Sequence, residues 1–339
     1  MHTQLALVLV YALIHVGAIT ARDTKLHGCM DTCGNVSIPY PFGVGTSETG
    51  ENCFFEQRLN LTCQDNILYW GVDLQVLEIS LKGQMDLLFF VSKLCNDTPN
   101  GVANKPCLIS PIFTISSKEN KFINVGCETF GYLNSFYNGV GYSTGCLTRC
   151  TKFPDIATNG HCSGIGCCEV NVPPSMKNIT IESFRFRSSN FQSCSHSFVA
   201  KHGSYNFDIN HIVKLPFDRM PMVVDWSVGD KGCEFVRNGS VKSACMKNSH
   251  CHDIDISHGY QCRCKTGYDG NPYHPNGCQD IDECKTKRHT CISENHCLNT
   301  DGSYECFCPP GQVGDGKFEE GCRPIQRQNS PSKFAIGNN

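Results

Sequence analysis

The sequence predicts a mostly β, disulfide-rich, multi-domain protein: a large cysteine-rich, β-rich N-terminal region followed by two small tandem cysteine modules. Three observations carry this expectation. The 339 residues include 25 cysteines, a usage that belongs to oxidising compartments, where a disulfide framework replaces a large core. Short runs of alternating apolar and polar residues recur over the first two thirds, and no long stretch has helical periodicity. Finally, 31 glycines and 16 prolines punctuate the chain with turns.

Residues 1–21 hold LALVLVYALIHVGAI, an apolar run of the length of a signal-peptide core and short of a membrane span. It is expected to be a cleaved secretion signal, although its n-region carries His2 and neither Lys nor Arg. In a secreted chain the sequons at Asn35, Asn60, Asn96, Asn178 and Asn238 are candidate glycan acceptors. A formal net charge of −3 argues against a nucleic-acid binder, whose surface must be strongly basic. After the signal no apolar run approaches the roughly twenty residues of a membrane helix.

Residues 22–232 form the first large region, opening with CMDTCGNVSIPYPFGVG. Prolines on both sides of Tyr40, then Gly43 and Gly45, fix an extended segment and a turn, from which Ile38, Tyr40 and Phe42 project. Val72, Leu74 and Val76 alternate with polar or small neighbours, and Leu77, Ile79 and Leu81 repeat the pattern one position out of phase. Further β-rich runs are PIFTIS, NITIESFRFR and SYNFDINHIV. The region contains 13 cysteines, from Cys29 to Cys194. That odd number leaves one thiol over, either a buried free thiol, the favoured expectation, or a link to a second chain.

Two modules of six cysteines follow: residues 233–278 with Cys233, Cys245, Cys251, Cys262, Cys264 and Cys278, and residues 279–322 with Cys284, Cys291, Cys297, Cys306, Cys308 and Cys322. Segments this short cannot bury enough surface to fold without cross-links, so these cysteines are structural. Spacing alone leaves fifteen pairings open in each. Residues 323–339 are polar and expected to be disordered.

The second module, from DIDEC through CLNTDGSYEC, resembles a calcium-binding epidermal growth factor (EGF) module. The family pairs cysteines first with third, second with fourth and fifth with sixth, which implies Cys284–Cys297, Cys291–Cys306 and Cys308–Cys322. Calcium takes six to eight hard oxygen ligands. The resemblance implies side-chain ligands from Asp280, Glu283 and Asn299 and carbonyl ligands from Ile281, Thr300 and Ser303. Asp282 fills the motif's second acidic slot and Tyr304 its aromatic one. The first module, with GYQCRC and KTGYDGNPY, is similar in style and implies disulfides among Cys233, Cys251, Cys245, Cys262, Cys264 and Cys278. It lacks an acidic pair before Cys233 and an amide after Cys251, so no calcium is expected there, and the two modules are expected to act as a semi-rigid stalk stiffened by Ca2+ at their junction.

CGNVSIPYPFG, followed by Cys53 and by Cys63 after FFEQRLNLT, resembles the galacturonan-binding domain of plant wall-associated receptor kinases. The resemblance continues through NKFINVGCETFGYL, GCLTRC, GHCSGIGCCEVNVPP, SCSHSFVA and VVDWSVGDKGC, and departs most around Cys95 and Cys107. In that family a transmembrane helix and a kinase follow the modules; this chain carries neither an HRD nor a DFG signature. The resemblance implies a secreted or wall-facing binding protein for pectin or oligogalacturonides, without enzymatic activity. A polyanion needs a basic complement, yet residues 22–231 hold about 17 basic and 19 acidic residues. Any groove must be local, and Arg185, Arg187, Lys201 and His202 are the candidate cluster. The alternative is protein recognition, as a co-receptor or decoy pairing with full-length receptor kinases through the β modules or the spare thiol.

Other constellations carry little. GYSTG at 141–145 has the Gly-x-Ser-x-Gly spacing of a hydrolase elbow, but cysteines follow where a helix is needed, and a plain turn is expected instead. GVGTSE lacks the third glycine of a dinucleotide loop. Cys167 and Cys168, and the Cys-x-Cys pairs, read as disulfide partners rather than zinc ligands.

Overall fold

The computed structural model describes residues 26–325 except 96–97, 99–100, 138–139, 151–159, 187–193, 255–258 and 319–320. The proposed signal at 1–21, the Asn96 sequon, Arg187 and most of the 323–339 tail lie outside the described residues. The chain divides into two compact units, residues 1–263 with 271–277, and residues 264–270 with 278–339. No helix among the described residues is long and apolar enough to cross a membrane.

Three large sheets, almost wholly antiparallel, make up most of the first unit. The largest has seven strands in the order Phe113–Ile115, Arg219–Trp226, Gln84–Phe90, Leu74–Ser80, Ile67–Trp70, Asn60–Gln64 and Gly43–Val44, with only the last pair parallel. The two-phase alternation read from the sequence has a physical cause. A register shift between Val76 and Glu78 moves the buried side from Leu74 and Val76 to Ile79. Val72, by contrast, is 97% exposed in the turn before this strand, not part of it. The IPYPFG segment turns its apolar residues inward: Ile38, Tyr40 and Phe42 are all buried, and Phe42 meets Trp226 edge-on at 4.9 Å. Gly43 is required there, because a Cβ would lie 2.0 Å from the Cys53 carbonyl oxygen.

The second sheet runs Cys167–Asn171, Asn120–Val125, Ser195–Lys201, Ser92–Leu94, and the third Val140–Thr148, Thr129–Tyr137, Ile179–Arg185, Cys107–Leu108. Between them lies a buried polar network: Asn124 donates to Thr129 Oγ1 (3.0 Å) and accepts from Ser197 Oγ (2.9 Å). SYNFDINHIV is not a strand. Asp208 accepts from the Asn210 N–H at 2.8 Å and caps a 3-10 turn at Ile209–Ile212, so local capping overrides the alternating pattern.

Disulfides pin the loops: Cys29–Cys53, Cys33–Cys63, Cys95–Cys194, Cys127–Cys150, Cys146–Cys168 and Cys162–Cys167 in the large region. The first module is closed by Cys233–Cys251, Cys245–Cys262 and Cys264–Cys278, the second by Cys284–Cys297, Cys291–Cys306 and Cys308–Cys322. The spare thiol is Cys107, and it is exposed rather than buried, because it sits on the two-residue edge strand of the third sheet.

The first module is not a free bead of a stalk. Its residues Cys233, Ala244, Tyr260, Cys262 and Tyr273 share one apolar core with Trp226 and Phe42. Val228 exchanges both backbone hydrogen bonds with Tyr260, and Gln261 donates to the Trp226 carbonyl at 2.8 Å. Asn271 donates to the Tyr40 carbonyl at 2.6 Å. The division between compact units therefore falls inside this module, at residue 263, and leaves its last hairpin with the second module.

Candidate functional site

In the second unit, Tyr268–Gly270 pairs with Cys278–Asp280, so a hairpin closed by Cys264–Cys278 delivers Asp280 at its end. A second hairpin, Cys297–Thr300 with Ser303–Cys306, sets Thr300 opposite Ser303 and Asn299 opposite Tyr304. The Asp280 carboxylate ties the two together, accepting from Asn299 Nδ2 at 2.6 Å and from the Gly302 N–H at 2.5 Å. Asn299 Oδ1 in turn accepts from the Glu283 N–H at 3.2 Å. Tyr304 acts from a distance: its hydroxyl accepts from the Thr290 N–H at 3.1 Å and fixes the neighbouring loop.

Glu283 opens a one-turn helix, Glu283–Thr286, and is only 7% exposed. Its Oε2 is buried, with no hydrogen-bond partner among the described residues. Isolating a carboxylate oxygen from water without a partner is costly, and a cation is the partner such an oxygen lacks. Asp280, Glu283 and Asn299 are thus brought together as oxygen-bearing side chains, the ligand type that calcium takes. Asp282 points its charge elsewhere. It caps the short helix by accepting from the Lys285 N–H at 3.0 Å and pairs with Lys285 Nζ at 2.8 Å.

Two cavities among the described residues of the first unit bear on function. One of about 490 Å³ carries Lys82, Lys118 and Arg263, together with Asp225 and Asp253. Both carboxylates are engaged by the protein, Asp225 with Gln84 Nε2 at 3.1 Å and Asp253 with the Cys233 N–H at 2.6 Å. The other, of about 430 Å³, has apolar walls from Val91, Leu215, Pro216 and Phe217. Its polar lining is Lys93, Asn104, His196 and Asp218.

Residues 280–322 match the calcium-binding EGF domain family, and residues 29–88 match the wall-associated receptor kinase galacturonan-binding family. Wall-associated receptor kinase 3 of Arabidopsis thaliana is 36% identical over 322 residues, covering 87% of this chain and 41% of that protein. Wall-associated receptor kinase 2 of the same plant is 35% identical, covering 88% and 40%. The chain matches a wall-associated receptor kinase ectodomain. It spans about two fifths of the length of the curated relatives it matches.

Among the described residues of the cationic cluster expected from the sequence, Arg185 does not join Lys201 and His202. Lys201 stands opposite Asn120, whereas Arg185 stands opposite Thr129, beyond the other end of the Asn120–Val125 strand. Lys201 is also paired with Asp86 at 2.5 Å, and its ammonium pKa is raised chiefly by that hydrogen bond. His202 is an exposed turn residue whose N–H donates to the Glu119 carbonyl. Ser143 lies in mid-strand opposite Asn134, not in a turn, and donates to Asn134 Oδ1 at 2.6 Å, so it has no base and no elbow. Among the sequons, Asn35 and Asn238 are exposed, Asn60 accepts from the Gly45 N–H, and Asn178 Nδ2 donates to the Phe136 carbonyl at 3.4 Å. The residue that sequence reasoning missed is His196, in SCSHSFVA. A histidine within a strand buried on both faces was the available signal.

Proposed function

We propose that this chain is a wall-facing, pectin-binding ectodomain whose terminal module holds calcium. The galacturonan-binding match over residues 29–88 carries the pectin reading, since that segment supplies most of the seven-stranded sheet around Trp226. The oxygen cage around the unpartnered Glu283 Oε2 supports the metal. Asp280, Glu283 and Asn299 would hold Ca2+, which would supply a fixed positive charge tying the two hairpins into one body. Secretion, placement at the cell wall and the absence of catalysis belong to the same reading.

The test is retention of the full secreted chain on de-esterified polygalacturonate as NaCl rises. Ion pairs at an exposed surface are screened over about 10 Å at 0.1 M salt, so binding should weaken steadily. Salt-independent retention would move the account to hydrogen bonding and aromatic contacts, and no retention would end it.

One observation favours a second reading, protein recognition. Cys107 is opposite Thr180, and Thr180 opposite Asn134, so the exposed thiol shares a sheet face with the exposed Tyr132, Phe136 and Leu147. A covalently held partner, such as a receptor-like protein, would vanish from non-reducing gels of the Cys107→Ser variant. Identical band patterns for the variant and the parent would remove that reading.

A further inference from the structure

His196 is 1% exposed, and among the described residues neither of its ring nitrogens has a hydrogen-bond partner. Buried polar groups in folded proteins are almost always paired, and an unpaired one marks a place where something else completes it. This one lines the 430 Å³ cavity. Strand register puts His196 directly opposite Lys93 on the edge strand Ser92–Leu94. Directly opposed residues of an antiparallel pair project from the same face with Cβ atoms about 5 Å apart. Burial, then the Lys93 charge, then His211 hold the imidazole pKa at about 4, so at wall pH the ring is neutral, with one N–H donor and one bare acceptor nitrogen. Metal binding does not account for the site. The sulfurs of Cys95 and Cys194 lie within 4.8 Å of the imidazole, but they are bonded to each other and offer no thiolate.

We infer that this cavity is a sugar-acid pocket, taking one or two uronate residues with the carboxylate held between Lys93 and the His196 N–H. The inference rests on the galacturonan reading above and places the contact beyond the matched segment 29–88, in the same compact unit. Each wall has a counterpart on a pyranose acid. Lys93 and His196 both line the cavity, and the charge-assisted bond that an ammonium offers a carboxylate is among the strong ones. The Asp218 carboxylate is an acceptor for ring hydroxyls, which a simple aliphatic acid would leave unmatched. Phe217, Pro216 and Leu215 offer flat apolar surface to the C–H face of the ring. Asn104 holds the rim rigid: its Oδ1 accepts from the Lys93 N–H at 2.6 Å and its Nδ2 donates to the Val91 carbonyl at 2.9 Å. The larger, more cationic cavity is the weaker candidate, because its two carboxylates already have protein partners and no buried group there awaits one.

The experiment uses the full secreted chain labelled with 15N-histidine and titrated with digalacturonate, followed through imidazole resonances. The His196 ring signals should move in step with binding. His196→Phe, which fills the same space and donates nothing, should bind at least tenfold more weakly. Lys93→Met, at an exposed position that cannot disturb the core, should do the same, and the neutral digalactose should bind at least tenfold more weakly than its acid. Digalacturonate binding that leaves the His196 signals still and both variants unimpaired overturns the pocket while the galacturonan reading stands. Equal binding of the neutral sugar overturns the carboxylate assignment, and failure of the parent chain to bind any galacturonan overturns pocket and reading together.

Discussion

Replacing Glu283 by Gln separates a metal ligand from a structural acid. The residue is 7% exposed, its Oε2 has no partner among the described residues, and its backbone N–H is bonded to Asn299. A buried charge without a counter-ion is unfavourable, so removing it should leave the calcium-free chain within about 1 kcal/mol of the parent. Calcium-binding modules outside cells have dissociation constants of about 10⁻⁴ to 10⁻³ M. At about 10 mM Ca2+ the parent should therefore gain RT ln(1 + [Ca]/Kd), roughly 1.4 to 2.7 kcal/mol. Losing one of two side-chain carboxylates should weaken binding at least tenfold, which is about 1.4 kcal/mol of binding free energy. Hydrogen exchange at the Gly302 amide reads this directly, because that N–H is bonded to Asp280 inside the cage. Its protection should rise roughly 10- to 100-fold with calcium in the parent, following the same mass-action factor, and far less in Glu283→Gln. Equal calcium-induced protection in both proteins would refute the ligand assignment. Equal destabilisation with and without calcium would make Glu283 a packing residue.

Two further outcomes concern His196 and Gly302. His196 has a folded-state pKa of about 4 against an ordinary 6.5, so the unfolded chain takes its proton first as pH falls. Its stability contribution is intact above pH 6.5, is lost between 6.5 and about 4, and changes no further below that; at 1.36 kcal/mol per unit the total is about 3 kcal/mol. Urea unfolding of His196→Phe at pH 7 and pH 4 should lack this component of the acid loss; a pH-independent difference from the parent would refute the burial argument. Gly302 has φ +80°, and an added Cβ would fall 2.7 Å from the Tyr268 ring, so Gly302→Ala should cost about 1–3 kcal/mol and weaken calcium binding. Gly311→Ala, with φ +84° and nothing within 4 Å of the added atom, carries the backbone strain alone. Equal calorimetric calcium affinities in these two variants would show that the packing between Gly302 and Tyr268 does not shape the cage.

What was legible in the sequence was what is local. Asp280, Glu283 and Asn299 lie within twenty residues, bounded by cysteines whose spacing limits how the loops fold, so residue type and order nearly determine the site. The cationic cluster failed for the opposite reason. Arg185 and Lys201 are close in sequence but belong to different sheets, and only strand register shows that they point to different ends. SYNFDINHIV failed because one aspartate cap outweighs an alternating pattern. Tyr260 and Gln261 carry no mark of burial beyond the style of GYQCRC, since the surface that covers them comes from a strand thirty-odd residues earlier. His196 is a non-local site of the same kind, assembled from an edge strand, a returning strand and the loop before Arg219.

The seam between the large sheet and the first cysteine module constrains anyone who would cut or recombine this chain. A fragment ending at residue 232 would bare the Trp226 indole and the Phe42 ring and leave the Tyr40 carbonyl without Asn271. It would be sticky and poorly behaved for reasons unrelated to sugar binding. A chimera that exchanges modules at Cys233 would have to import the tyrosines at 260 and 273 with it, so the shortest autonomous piece carrying the front half extends to at least Cys278, which closes the bond to Cys264.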